Sequence, residues 1–117
     1  MAEIGIDYFR GNISLRDQVK EYLALKQNLR YSTARCYSFM VKKIEAFPIG
    51  GKAIISISAH DLKMFFIELY ESGLAFATIN KIKGLIKNSL ELACEDNIIP
   101  RNVCRFKLRD YIPDDTE

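Results

Sequence analysis

A single histidine, three cysteines and scattered acids are what this sequence offers for chemistry, and their spacing assembles no reaction centre. His60 stands beside Asp61 in an expected first helical turn. A lone histidine there caps or solvates the helix start more readily than it acts as a general base. Cys36, Cys94 and Cys104 are odd in number, widely spaced and without a CxxC pair, which argues against both a disulfide framework and a zinc site. Cys36 and Cys94 are expected as small core residues in a reduced, cytoplasmic setting. Gly50-Gly51 lacks the following Lys-Ser or Lys-Thr of a phosphate loop. Tyr22, Tyr37 and Tyr70 fall in apolar stripes and are expected in the core. The expectation is therefore no catalytic residue, no metal ligand and no cofactor.

Binding chemistry remains, and its signal is in how charge is distributed. The formal net charge is only +2. From Lys20 to Phe47, six basic residues stand against two acids, a balance of +4. From Leu74 to Leu90 there are three lysines and no acid, a balance of +3. The stretches Ala59 to Gly73 and Glu91 to Cys104 each hold one basic residue against three acids, −2 apiece. At helical spacing, Arg35, Ser38 and Lys42 point away from the apolar stripe of one segment. Asn80, Lys81, Gly84, Lys87 and Asn88 point away from that of another. Cations beside amides and hydroxyls suit phosphate neutralisation combined with hydrogen bonds to base edges. Unpaired N–H groups near Thr78, at a helix start, favour an anion such as a phosphate. Solvated lysines on outer helix faces would give the same pattern, so charge alone leaves both readings open.

The elements that must position these residues are helices. A chain of 117 residues that is 49% apolar fits one domain with its own core. No apolar run approaches the roughly 18–20 residues of a membrane span. The first residues lack the basic and apolar regions of a secretory signal. Ser14 begins a capping-box pattern, and Leu15, Val19, Tyr22, Leu23 and Lys26 follow at helical spacing, with Asn28 as a stop. Ser32 is placed to cap a second helix carrying Cys36, Tyr37, Met40, Ile44 and Phe47 on one side. Ser58 to Asp61 starts a third, with Leu62, Phe65, Phe66, Leu69 and Tyr70 inward and Gly73 as the left-handed stop. The fourth and longest carries Ile79, Ile82, Leu85, Ile86, Ser89, Leu90 and Ala93 inward and stops at Asn97. The predicted spans are 14–27, 32–47, 58–72 and 76–96. Strand-like alternation is confined to Ala53 to Ile57, and a short helical turn is expected near Arg101 to Arg105.

Several of these residues, in this order, carry a resemblance: Ser32-Thr33 with Tyr37, Ile57-Ser58 with Asp61-Leu62, Gly73-Leu74 leading to Thr78-Ile79-Asn80, Leu90 with Ala93, then Ile99 and Asn102. Together they resemble the core-binding domain of tyrosine recombinases, the phage-integrase type, also called the SAM-like N-terminal integrase domain. The resemblance covers 14–102. It implies an all-α fold, a four-helix SAM-like orthogonal bundle that clamps one face of a recombination site on double-stranded DNA. It also implies that the second and fourth helices face the DNA, which are the two that charge picked out. Thr33, Arg35 and Lys42 then match the DNA-facing side of the second helix, and Asn80, Lys81, Gly84 and Lys87 that of the fourth. Ala75 departs from the Ser or Thr common before the fourth helix, and Asn102-Val103 from Asn-Pro.

The family's catalytic Arg, Lys, His and nucleophilic Tyr find no match, so the chain reads as a domain excised from a longer bacterial or phage-encoded integrase. Residues 1–13 are assigned to an N-terminal arm or linker, 14–104 to the core-binding domain, and 105–117, including Tyr111, to a linker toward a C-terminal catalytic domain. Other recombinase protomers are expected partners, and a membrane is not. The candidate DNA-binding set is Thr33, Arg35, Ser38, Lys42, Thr78, Asn80, Lys81, Gly84, Lys87 and Asn88. A helical protein–protein interaction module is the alternative, because Phe39, Met64 and Ile67 fall on outward faces.

Overall fold

The computed structural model describes residues 12–26 and 31–114, the side chains of Tyr31 and Ser32 excepted. Most of the N-terminal arm, the predicted stop at Asn28 and the last three residues lie outside the described part. The architecture is an all-helical bundle of α1 (Leu15–Leu25), α2 (Tyr31–Glu45), α3 (Ala59–Glu71) and α4 (Phe76–Glu95). Short 3-10 turns occupy Pro48–Gly51, Ile54–Ser56 and Leu108–Asp110.

Local signals set the helix ends. The Ser14 hydroxyl accepts from the Asp17 N–H at 3.2 Å, capping α1. At α3 the exchange is reciprocal: Asp61 N–H donates to Ser58 Oγ at 3.1 Å, and Ser58 N–H donates to Asp61 Oδ2 at 3.0 Å. That backbone bond, assisted by Lys52 Nζ at 3.2 Å, holds the Asp61 carboxyl below its usual range despite some burial. A lowered carboxylate stabilises the fold above its ordinary pKa, and that stabilisation is lost as pH falls through the folded value. Replacing Ser58 by Ala is expected to cost about 1 kcal/mol, read as a lower chemical-denaturation midpoint. An unchanged midpoint would mean that the box contributes nothing.

α3 and α4 close through left-handed residues. Gly73 (φ +108) donates its N–H to Tyr70 O at 3.0 Å, and Leu74 N–H reaches back to Leu69 O at 3.2 Å. Asn97 (φ +60) repeats the motif after α4, with Ile98 N–H to Ala93 O at 2.8 Å. Both stops match the sequence expectation.

α1 packs against α2 and α4, and α3 packs against α4, whereas α2 and α4 make little direct contact. All seven residues of the predicted α4 stripe are buried. Gln18, a polar residue outside the apolar pattern of α1, is also buried and donates from Nε2 to the Ser89 carbonyl at 3.0 Å.

Several expectations need correction. α2 begins at Tyr31, so Ser32 lies inside the helix rather than at its cap. Its apolar stripe is buried only at Met40 and Ile44; Tyr37 and Phe47 are half-buried and Cys36 is exposed, and Cys36 and Tyr37 line an open groove instead of a helix–helix contact. The alternation at Ala53 to Ile57 makes one isolated bridge, Ser14 to Ala53, and then a 3-10 turn that buries Ile54. The late helical turn forms at Leu108–Asp110, not at Arg101 to Arg105.

The segment assigned to a linker is partly docked. Leu108 and Ile112 are buried in the core, and Phe106 stacks on Phe66 at a centroid distance of 6.0 Å. Apolar side chains every few residues draw this stretch back onto the bundle, so the packed unit continues past Cys104. Asn102 anchors its start. This buried amide donates to Lys87 O at 2.9 Å and Glu91 Oε1 at 3.0 Å, and accepts from Cys104 N–H at 3.0 Å.

Candidate nucleic-acid interface

Because α1 lies against both α2 and α4, the latter two stand apart and leave a groove between them. Thr33, Cys36, Tyr37 and Met40 of α2 form one wall, and Lys81, Gly84, Leu85 and Asn88 of α4 form the other. Tyr22 of α1 completes the lining, and the space is about 410 Å³. Four candidates read from the sequence, Thr33, Lys81, Gly84 and Asn88, therefore converge on one feature. Arg35, Ser38 and Lys42 are exposed elsewhere on α2, as are Asn80 and Lys87 on α4. Thr78 is half-buried in the first turn of α4.

The cations divide by what surrounds them. Lys20 pairs with Glu45 at 2.7 Å, Lys52 with Asp61 at 3.2 Å, Arg105 with Glu91 at 3.6 Å and Arg109 with Asp114 at 3.0 Å. Lys63 lies over the rings of Phe106 and Tyr111, at 5.4 and 4.7 Å, and Lys83 over Phe106 at 5.4 Å. Lys42, Lys81 and Lys87 have no ion-pair partner among the described residues. Lys83, four residues before Lys87 and so on the same side of α4, has its ammonium over the Phe106 ring of the C-terminal segment. Lys42 on α2 and Lys81 and Lys87 on either side of the outward face of α4 are thus cations left for a polyanion to attract.

Two backbone features add to this surface. The N-cap of α4 is Ala75 in extended conformation, and no side chain accepts from the first-turn N–H groups. Gly84 sits in the middle of α4, where glycine costs about 1 kcal/mol relative to alanine. A Cβ built there would meet nothing within 4 Å, so packing among the described residues does not require a glycine.

Nucleophiles are present without a reaction centre around them. Burial pushes the Cys104 thiol up to about 11, and burial with nearby Glu91 raises that of Cys94. Cys36 is the exposed thiol. Among the described residues, no three His, Cys, Asp or Glu side chains gather to hold a metal ion, and no helix is long and apolar enough to cross a membrane.

Tyr22, Cys36, Tyr37 and Met40 escaped the sequence-based site. They lie on the apolar side of their helices, and periodicity assigns that side to the core. Only the insertion of α1 between α2 and α4 turns it into a groove wall.

No protein-family model matches the chain. Over 112 residues, 96% of its length, the chain is 28% identical to the transposase from transposon Tn916 of Enterococcus faecalis and to that from Tn1545 of Streptococcus pneumoniae. It spans 28% of the length of these relatives. Its fold matches the Tn1549 transposon integrase solved in complex with a circular intermediate DNA, with a TM-score of 0.87 and 26% identity. That match covers 90% of this chain and 33% of the integrase chain. The same integrase in complex with transposon right end DNA matches at a TM-score of 0.86.

Proposed function

We propose that this chain, a homologue of the Tn916 and Tn1545 transposases that shares its fold with part of the Tn1549 integrase, is the DNA-gripping, core-binding domain of a tyrosine recombinase. The observation that carries the reading is that the two helices flanking one groove carry Lys42, Lys81 and Lys87, which have no ion-pair partner among the described residues; Lys81 lines the groove and the other two are exposed beside it. Lysines there neutralise phosphates and displace condensed counterions. Thr33, Ser38, Asn80 and Asn88 supply the hydroxyls and amides that hydrogen-bond to base edges. The uncapped start of α4, near Thr78, offers N–H groups to a phosphate. Strand cleavage belongs to a separate catalytic domain, with which this one clamps the core recombination site in the cytoplasm, together with other protomers. Integrases solved on DNA as its structural neighbours support this reading.

A protein-interaction surface is the competing reading, favoured by exposed Phe39 and Met64. Lys43 covers the Phe39 ring at 5.4 Å, which reduces the apolar area on offer.

Cys36 gives a direct test. It lines the groove and is the exposed thiol, whereas Cys104 is buried and Cys94 half-buried, and burial pushes both of those thiols up. A bulky maleimide added near neutral pH is expected to label Cys36 first. The labelled chain is expected to lose most of its affinity for a short duplex at low salt, while a Cys36→Ser chain treated identically keeps it. Undiminished binding after stoichiometric labelling would remove the groove from the interface.

A further inference from the structure

We propose that Gly84 is the point at which the DNA sugar–phosphate backbone comes closest to α4, an inference that rests on the DNA-binding reading above. Among the described glycines, Gly84 is the one inside an α-helix. Gly50 is explained internally, since a Cβ there would collide with the Ile44 carbonyl, and Gly73 is explained by its positive φ. Gly51 also meets open space but ends a 3-10 turn, where a glycine costs no helix propensity; Gly84 has neither internal reason and stands in a helix interior, where a glycine is costly. Its missing side chain faces space at the groove wall that no described residue fills, room that a ligand's backbone could use.

Its neighbours on the helix surface state the chemistry of the occupant. Positions three and four residues away on either side are Asn80, Lys81, Lys87 and Asn88, all exposed. The bare stretch of backbone is framed by two cations and two amides, with no apolar residue among the four. A partner protein helix would seek apolar flanks at such a notch, whereas a polyanion finds charge on both sides. A sugar–phosphate strand lying across Gly84 would touch the Cα directly, and a Cα–H group makes a weak hydrogen bond to a phosphate oxygen. Lys81 and Lys87 would then bind phosphates on either side of that contact. Gly84 acts by permitting approach, which sets how deeply α4 enters the duplex.

The test exploits effects of opposite sign. Gly84→Ala and Gly84→Val in the full 117-residue chain should both fold, because the added Cβ meets no described atom within 4 Å and the position faces outward from the core. Gly84→Ala should raise the melting temperature by a few degrees, since the helix interior loses a glycine. Binding to a short duplex at low salt should nevertheless weaken, by about tenfold for Gly84→Val and less for Gly84→Ala. The salt slope should stay near that of the unsubstituted chain, as no charge is removed. If the glycine variants bind DNA with unchanged affinity while Lys81→Ala and Lys87→Ala weaken it, the inference about Gly84 is overturned and the DNA reading stands. A change in self-association by sedimentation with DNA affinity intact would likewise overturn it, in favour of a protein occupant. No binding by the unsubstituted chain, even at low salt, would overturn the DNA reading and this inference with it.

Discussion

A chain with Lys42, Lys81 and Lys87 all replaced by alanine is expected to bind duplex DNA with a log–log salt slope about three units shallower than the unsubstituted chain. Each lysine that contacts a phosphate releases roughly 0.9 of a condensed counterion. These three carry the prediction because none of them has an ion-pair partner among the described residues. The formal charge falls from +2 to −1 on removing three cations, and affinity near physiological salt should drop on the order of a hundredfold. Removing charge alone does not explain the effect, and the controls separate the two causes. Lys52 is already paired with Asp61, and Lys63 is held over Phe106 and Tyr111. Lys52→Ala and Lys63→Ala each remove one charge but should leave the slope nearly unchanged. Asn80→Ala should alter preference among duplex sequences at an intact slope, because an amide reads a base edge without neutralising a phosphate. Equal flattening by the two control lysines would place the DNA surface elsewhere on the chain.

Which features were legible in the sequence follows from how each helix is covered. α4 is flanked by α1 and α3, so its buried stripe is wide and periodic, and every residue from Ile79 to Ala93 in the predicted stripe is inside. The stops at Gly73 and Asn97 are local backbone requirements that these residue types meet by themselves. α2 is covered along only part of its length, and periodicity records that a face is apolar without recording what lies against it. Cys36 and Tyr37 therefore passed for core. Charge along a segment does not distinguish Lys81, which has no ion-pair partner among the described residues, from Lys83, whose ammonium lies over an aromatic ring. Gln18 is buried through one long-range hydrogen bond to Ser89, a contact with no sequence periodicity. The C-terminal stretch misled in the opposite direction. Its polar residues at Asp110, Asp114 and Asp115 resemble a solvated linker, while Phe106, Leu108 and Ile112 are spaced to reach the bundle.

That docked stretch bears on the largest stability effect expected here, which is at Phe66. Its side chain is fully buried and touches Phe65 at 5.5 Å and Phe106 at 6.0 Å between centroids. Truncation to alanine leaves a cavity that α3 and the C-terminal stretch cannot both collapse into. The cost should be about 3–5 kcal/mol, out of a total stability of about 5–15 kcal/mol for a domain of this size. The melting temperature should fall by roughly 10–20 °C, followed by circular dichroism. Phe106 touches the same ring from outside, is only half-buried, and holds Tyr111 edge-on at 5.7 Å beneath Lys63. Phe106→Ala should free the C-terminal stretch without opening the packing of α1, α3 and α4. The expected result is a fall of only a few degrees together with rapid proteolytic trimming after Cys104. The two substitutions thus distinguish a central core from a segment clipped onto it. Equal losses from both would mean that residues 105–112 fold as an inseparable part of the bundle. A loss of under about 1 kcal/mol at Phe66 would mean that the aromatic cluster is not close-packed at all.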